Sequence, residues 1–241
     1  MSERVLAIPA KYIENLWGKD DFTIWDDWKD SCGQYHLDLL FRLIDGEAYF
    51  MDRDEELENN ELILQIIPYC VVTYFDRYTE DIFYMTYRRL SRSGEDRLKG
   101  KVSIGIGGHI NDEGMIIHLS EPGVRQNVFA NGAHRELLEE TNIKDILRKQ
   151  LHLSSFYPIG FLRSRRSEVG KVHFCVICRL NLDISDEDIL GEIQMTETDV
   201  AEKIGWFTAK ELLEKDGTEF ELEDWSKIIL NKSDESDEFY E

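Results

Sequence analysis

Three glutamates, Glu136, Glu139 and Glu140, stand three and four residues apart in the run Ala130-Asn-Gly-Ala-His-Arg-Glu-Leu-Leu-Glu-Glu-Thr-Asn-Ile143. On a helix, at about 100° per residue, they fall within roughly a 100° arc of one face. Ala130, Ala133 and Leu137 occupy an adjoining arc and can face a core. Like charges at these spacings destabilise an isolated helix by about a few tenths of a kcal/mol per pair, so the cluster invites a compensating cation. Ligands that are all oxygen suit Mg²⁺ or Mn²⁺. A Glu-rich face is also what an ordinary solvated helix carries, and the helix alone does not separate the two.

Upstream, the apolar run Val102-Ser-Ile-Gly-Ile-Gly-Gly108 closes on a glycine pair. A strand ending in Gly107-Gly108 lets the backbone turn sharply and approach a ligand closely. Strand, glycine turn and acidic helix are together the parts of a site.

These parts resemble a Nudix box, Gly-x5-Glu-x7-Arg-Glu-U-x-Glu-Glu-x-Gly-U with U aliphatic. Arg135 to Ile143 is similar to its second half, and Gly108 to its opening glycine. The step from Gly108 to Arg135 is 27 positions, where the family has fourteen, implying an insertion of about thirteen residues. Asn127 stands where counting back from Arg135 would place the first box glutamate, with Glu121 and Glu113 as substitutes. The late box glycine is Asn142, the next-best residue for a left-handed position ending a helix. The longer run from Ile67-Pro-Tyr through Gly94-Glu-Asp-Arg-Leu-Lys-Gly to His109 also resembles a bacterial subgroup of Nudix proteins described as predicted phosphoesterases.

The resemblance implies an α/β/α sandwich on a mixed β-sheet, and it implies hydrolysis of a phosphoanhydride, typically in a nucleoside diphosphate linked to another group. Glu136, Glu139 and Glu140 would then ligate Mg²⁺ or Mn²⁺, with the Gly108 carbonyl as a further ligand. Arg135 would orient the acidic cluster. Glu136 would accept a proton from the attacking water, with Glu197 as an alternative base. His109 would touch substrate or cap the turn, and Arg88 and Arg97 would meet phosphate. A reading from another class is a non-catalytic Nudix-like module that senses a nucleotide or a protein partner.

Composition bounds these readings. The chain has 241 residues, enough for a substantial core, with 42% hydrophobic and 32% charged residues. Its net charge of −21 argues against binding DNA or RNA polymers, because phosphate backbones would be repelled. Positive charge is nonetheless grouped in Arg88, Arg89, Arg92, Arg97, Lys99 and Lys101, and again in Arg163, Arg165, Arg166 and Lys171. These groups fit either a small phosphorylated substrate or pairing with the surplus carboxylates. Leu62 to Phe75, the longest apolar stretch, is interrupted by Gln65 and Pro68 and is too short for a membrane span. With no secretory signal at Met-Ser-Glu-Arg, a cytoplasmic location is the default expectation. Cys175 and Cys178 lie in an apolar run and read as buried thiols, not as zinc ligands.

Residues 1–60 read as an extension packed on a main domain of 61–232, and 233–241 as a disordered acidic tail. Trp17, Trp25 and Trp28 in the extension fit a core edge or a homodimer contact. Strands are expected at Arg4–Pro9, Leu62–Tyr74, Ile82–Arg88, Val102–Ile106, Ser155–Leu162, Lys171–Leu182 and Ile204–Phe207, with a short added strand at Gly114–Leu119. Helical spacing marks Gln34–Ile44, the acidic run and Glu223–Leu230, and a capping box at Thr208 and Glu211 opens another helix. Asp52–Asn60 reads as a loop and Glu121–Gly123 as a turn. Gly132 weakens its helix by about 1 kcal/mol relative to Ala, so the first turns are expected to fray.

Overall fold

A computed structural model gives the structure of the protein and describes residues 3–25, 31–90, 98–112, 125–147, 156–182 and 187–237. In β1 (Arg4–Pro9) the residues Val5 to Ile8 are all buried, as in a strand covered on both faces. Pro9, without an N–H to satisfy, leads directly into α1 (Ala10–Trp17). Gly18 ends that helix at φ +93°, its N–H donating to the Glu14 carbonyl at 2.9 Å. β2 (Phe22–Trp25) and α2 (Ser31–Glu47) follow, and Leu37, Leu40 and Phe41 form the buried face that helical spacing implies. The stretch expected as a loop contains the end of β3 (Tyr49–Asp52) and the one-turn helix α3 (Glu55–Glu58). The Asp54 carboxylate makes that turn by accepting the Leu57 N–H at 2.9 Å, and buried Leu57 anchors it.

β4 (Ile63–Phe75) and β5 (Ile82–Arg89) pair antiparallel across Asp76–Asp81, with the Asp76 N–H donating to the Asp81 carbonyl at 2.9 Å. The single strand expected next is two, β6 (Val102–Ser103) and β7 (Gly105–Gly107). Between them the Ile104 N–H donates to Ser226 Oγ at 3.1 Å instead of to a ladder partner. The acidic run forms α4 (Arg125–Glu140), followed by the one-turn α5 (Ile143–Ile146). Next come β8 (Phe156–Arg163), α6 (Glu168–Val172) and β9 (His173–Leu182). α7 (Glu187–Glu192), β10 (Ala201–Thr208), α8 (Ala209–Lys215) and α9 (Asp224–Asp237) complete the described chain.

The capping box at Thr208 forms in both directions: its hydroxyl accepts the Glu211 N–H at 3.2 Å, and its N–H donates to the Glu211 carboxylate at 2.8 Å. α9 runs through Asp237, so the start of the acidic segment is helical, not disordered; the buried Ser233 hydroxyl donates to the Ile229 carbonyl at 3.1 Å. The expected strand at Gly114–Leu119 and turn at Glu121–Gly123 lie outside the described residues, as do Trp28 and 238–241. Cys70, Cys175 and Cys178 are buried thiols outside any disulfide, and burial pushes the Cys70 thiol far above its ordinary pKa.

The class is α/β, with a ten-stranded sheet among the described residues. The chain divides into two compact units of interleaved segments, 1–69 with 107–134 and 156–178, and 70–106 with 135–155 and 179–241. In the first, β1 pairs antiparallel with β3 and with the start of β4, and β2 pairs antiparallel with β8. Trp17, Phe22, Phe161 and Phe174 pack there as an aromatic cluster, Trp17 meeting Phe161 edge-on at 4.8 Å. In the second, the order is β10-β5-β4, and α8 packs on α9.

Gly132 sits inside α4 for a packing reason, and the helix does not fray there. A Cβ at this position would stand 2.7 Å from Pro68 Cγ and 3.3 Å from Ile110 Cγ1. The missing side chain lets α4 lie directly on the β4 proline ring, which has no rotamer to escape into. Gly132→Ala should therefore lower unfolding stability by about 1–3 kcal/mol, although helix propensity alone forecasts a gain of about 1 kcal/mol. Chemical denaturation of the two proteins measures the sign.

Candidate functional site

α4 forms because Val128, Phe129, Ala130, Ala133 and Leu137 recur at helical spacing and are buried, which leaves the acidic residues on the remaining arc. Near its C-terminal end Arg135 bridges two of them. One guanidinium nitrogen donates to Glu136 and another to Glu139 at 3.1 Å. Glu136 is nearly buried, with its side chain 12% exposed, whereas Glu139 is 59% exposed. Arg135 thus holds the two carboxylates apart at fixed positions and offsets their repulsion.

The end of α4 is tied down by the segment around Thr196, where the sequence alone suggests only a loop or short helix. The Thr196 N–H donates to the Glu140 carbonyl at 2.9 Å and the Thr196 hydroxyl to the Glu139 carbonyl at 2.6 Å. Asn142, at the place of the box glycine, has φ −84° and is not left-handed. Its side chain instead ties two segments together, since Oδ1 accepts the Gln194 N–H at 2.7 Å and Nδ2 donates to the Glu192 carbonyl at 3.0 Å. Asparagine stands here for its amide.

Glu140 is the residue with the perturbed environment. Burial raises its pKa above the ordinary carboxylate value; Arg89 opposes that rise, and the charges of Glu197 and Glu139 add to it. Arg89 extends over Tyr87, donating to the phenolic oxygen at 3.2 Å, and Tyr87 in turn donates to the Gly105 carbonyl at 2.9 Å. Tyr87 is fully buried, which pushes its phenol well above the usual range. Arg89 is the cation that sequence reasoning missed in favour of its neighbour. Alternation in β5 carried the signal, since Arg89 shares a face with buried Tyr87 while Arg88 points the other way. Arg88 pairs with Glu202 at 3.1 Å on the surface.

Gly108 and His109 belong to the first unit, whereas Arg135 to Glu140 belong to the second. At Gly107 a Cβ would be 3.0 Å from Tyr69 Cδ2 and 3.2 Å from Ile67 Cγ2, so the glycine turn is required by close approach to β4. His109 faces His173, with ring nitrogens 3.4 Å apart. Arg97, Glu113 and Glu121 lie outside the described residues, as does the Asn127 side chain. The second basic cluster is paired with carboxylates: Arg163 with Glu14 at 2.9 Å, Arg165 with Glu61, Arg166 with Asp21 at 3.0 Å and Lys171 with Glu168. For these four the surplus-carboxylate reading is the observed one.

Among the described residues, no group of three or more His, Cys, Asp or Glu side chains is arranged to hold a metal ion. The donor chemistry of the α4 cluster still suits a hard cation, being carboxylate oxygen throughout and carrying an uncomfortable charge at Glu140. No helix among the described residues is long and apolar enough to cross a membrane.

No protein-family model matches the chain. Protein YmaB of Bacillus subtilis (strain 168) is 28% identical over 232 residues, covering 96% of this chain and 97% of that protein. The crystal structure of Tm1382, provisionally assigned as a Nudix hydrolase, is similar with a TM-score of 0.60 at 21% identity, covering 95% of this chain and 99% of that one. The chain has a Nudix-like fold. The expected α/β sandwich on a mixed sheet is therefore the observed class.

A carboxylate whose pKa is raised by folding contributes least to stability where it is ionised. Glu140 costs the native state nothing below the unfolded-state value of about 4.3, and the cost grows as pH rises through its higher folded value. In metal-free buffer, Glu140→Gln should thus raise the melting temperature at pH 7, and the gain should vanish below about pH 4. Thermal melts of both proteins between about pH 3.5 and 8 check this.

Proposed function

We propose that the protein is a Nudix-type hydrolase that cleaves a phosphoanhydride in a small phosphorylated substrate, a nucleoside diphosphate linked to a second group, with Mg²⁺ or Mn²⁺ held by Glu136, Glu139 and Glu140. The observation that carries this reading is the end of α4, where Arg135 clamps Glu136 and Glu139 while Glu140 turns toward Arg89 and Glu197. Arg89 offsets the rise in the Glu140 pKa that burial and the neighbouring acids cause.

A divalent ion bound at these carboxylates would neutralise the diphosphate and lower the pKa of the attacking water. The chain's own residues supply the rest. Arg135 keeps Glu136 and Glu139 in place before substrate arrives, so little reorganisation is needed. Glu136 accepts the proton of the attacking water, with Glu197, whose charge acts on Glu140, as the alternative base. Arg89 holds the inner carboxylate against its own burial cost. The Thr196 donors fix the helix end from which Glu139 and Glu140 project. Arg88, half-exposed in its pair with Glu202, lies on the opposite face of β5 from Arg89, so the β5 cation beside these carboxylates is Arg89 among the described residues.

Phosphate release with Mg²⁺ from a panel of nucleotide sugars, dinucleoside polyphosphates, nucleoside triphosphates and diphosphoinositols tests the reading. Glu139→Gln and Glu140→Gln should each reduce turnover by about 100-fold or more while their melts stay at or above wild type. Full activity in both variants would remove the assignment. No turnover with any substrate, combined with a nucleotide-induced rise in melting temperature, would establish the sensing module instead.

A further inference from the structure

The first unit holds a cavity of about 340 Å³ between α2, the β1–β3 pair and the start of α4. Leu6 and Phe50 stand opposite one another in the antiparallel register of β1 and β3, so their side chains leave the same face of the sheet and form the floor. Ile44 and Ala48, one helical turn apart at the end of α2, supply one wall, and Val128 and Phe129 of α4 supply the other. Leu6, Val128 and Phe129 are buried, whereas Ala48 and Phe50 are half-buried and Tyr49 at the rim is exposed. The cavity is thus deep at one end and open at the other.

Its walls are fixed. Phe41 of α2 stacks on Phe129 of α4, with ring centroids 5.7 Å apart and planes inclined by 26°, and this pair spaces the two helices. The Leu6 N–H donates to the Ile110 carbonyl at 2.8 Å, and an Arg4 guanidinium nitrogen donates to the Phe50 carbonyl at 2.9 Å, which ties down both strands of the floor. Native interiors pack at a density of about 0.74 and leave few voids larger than a water molecule. An apolar space of this size, with a mouth and fixed walls, has the form of a preformed small-molecule pocket and not of a packing gap.

The lining decides what kind of molecule fits. Phe41, Phe50 and Phe129 contribute aromatic surface, which favours a flat aromatic guest over a branched aliphatic one. Filled to a density of about 0.74, the space takes about 250 Å³ of van der Waals volume, the size of two or three aromatic rings. Charge at the rim is already met within the chain. Arg4 donates to the Asp112 carboxylate at 2.8 Å as well as to the Phe50 carbonyl, and Asp45 brings the opposite sign. A charged guest would lose its hydration without gaining an unpaired counter-ion among the described residues.

We propose that this cavity binds an uncharged aromatic molecule of two or three rings. The rings lie on Leu6, Phe50 and Phe129, and a polar edge of the guest reaches the rim beside Arg4 and Tyr49. The site draws no residue from the acidic end of α4, which belongs to the second unit. It stands whether or not those carboxylates hold a metal ion.

Titration of the full chain with N-phenyl-1-naphthylamine, an uncharged probe whose fluorescence rises in apolar surroundings, tests the site. Wild type should bind one probe per chain with a dissociation constant of about 10 μM or tighter, and the probe should raise the melting temperature. Ala48→Trp fills the cavity from its mouth and Ile44→Phe from its wall, and each should weaken binding by at least about tenfold. Both positions are half-buried, so either variant keeps the test valid if the other does not fold. Tyr78→Ala, which removes an almost fully exposed ring elsewhere, should leave binding unchanged. 1-Naphthamide should displace the probe, and 1-naphthoate and 1-naphthylmethylamine, charged at neutral pH, should do so at least about tenfold less well. No saturable binding to wild type, undiminished binding in the filled variants, loss of binding in Tyr78→Ala, or equal displacement by the charged analogues overturns the proposal.

Discussion

Three carboxylates project from the C-terminal end of α4, where the helix dipole is itself negative and unsatisfied carbonyls point outward. Charge and dipole there oppose helix formation together, and the surrounding structure answers that conflict. Arg135 compensates Glu136 and Glu139 from within the helix. Thr196 donates to the carbonyls of Glu139 and Glu140, and Arg89 balances the carboxylate that burial disfavours. Each partner comes from a different stretch of chain, so the helix end exists only in the folded protein.

Burial disfavours the ionised form of Glu140, and the charges of Glu197 and Glu139 disfavour it further. A chain selected for stability alone would place glutamine there. A largely buried acid opposed by Arg89 is the kind of local disadvantage that functional positions carry. Gly132 packs closely on Pro68, which leaves no room for a Cβ in that part of α4.

Local signals in the sequence are legible where periodicity and capping dominate. β1, β4, β5, the buried face of α2, the Thr208 capping box and α4 itself all follow from spacing and composition. Where expectation and structure part, the cause is a partner distant in sequence. Ile104 leaves its ladder for Ser226, splitting the strand ahead of the glycine turn. Asn142 suggests a left-handed backbone but serves through side-chain bonds to Glu192 and Gln194. Arg88 and Arg89 are equivalent when charge is counted along the chain, although strand alternation already separates their faces.

By itself the sequence determined which residues can do chemistry: a helical face of three glutamates with an adjoining arginine, and a glycine turn followed by a histidine. Spacing along one element is a local property, fixed by about 3.6 residues per turn or by the two-residue pleat. Only the tertiary structure decided which charges oppose those glutamates, that Arg163 is spent on Glu14, and that His109 meets His173 across 64 positions of chain. Burial and pairing between distant segments set the cost of a charge, and no periodicity encodes them.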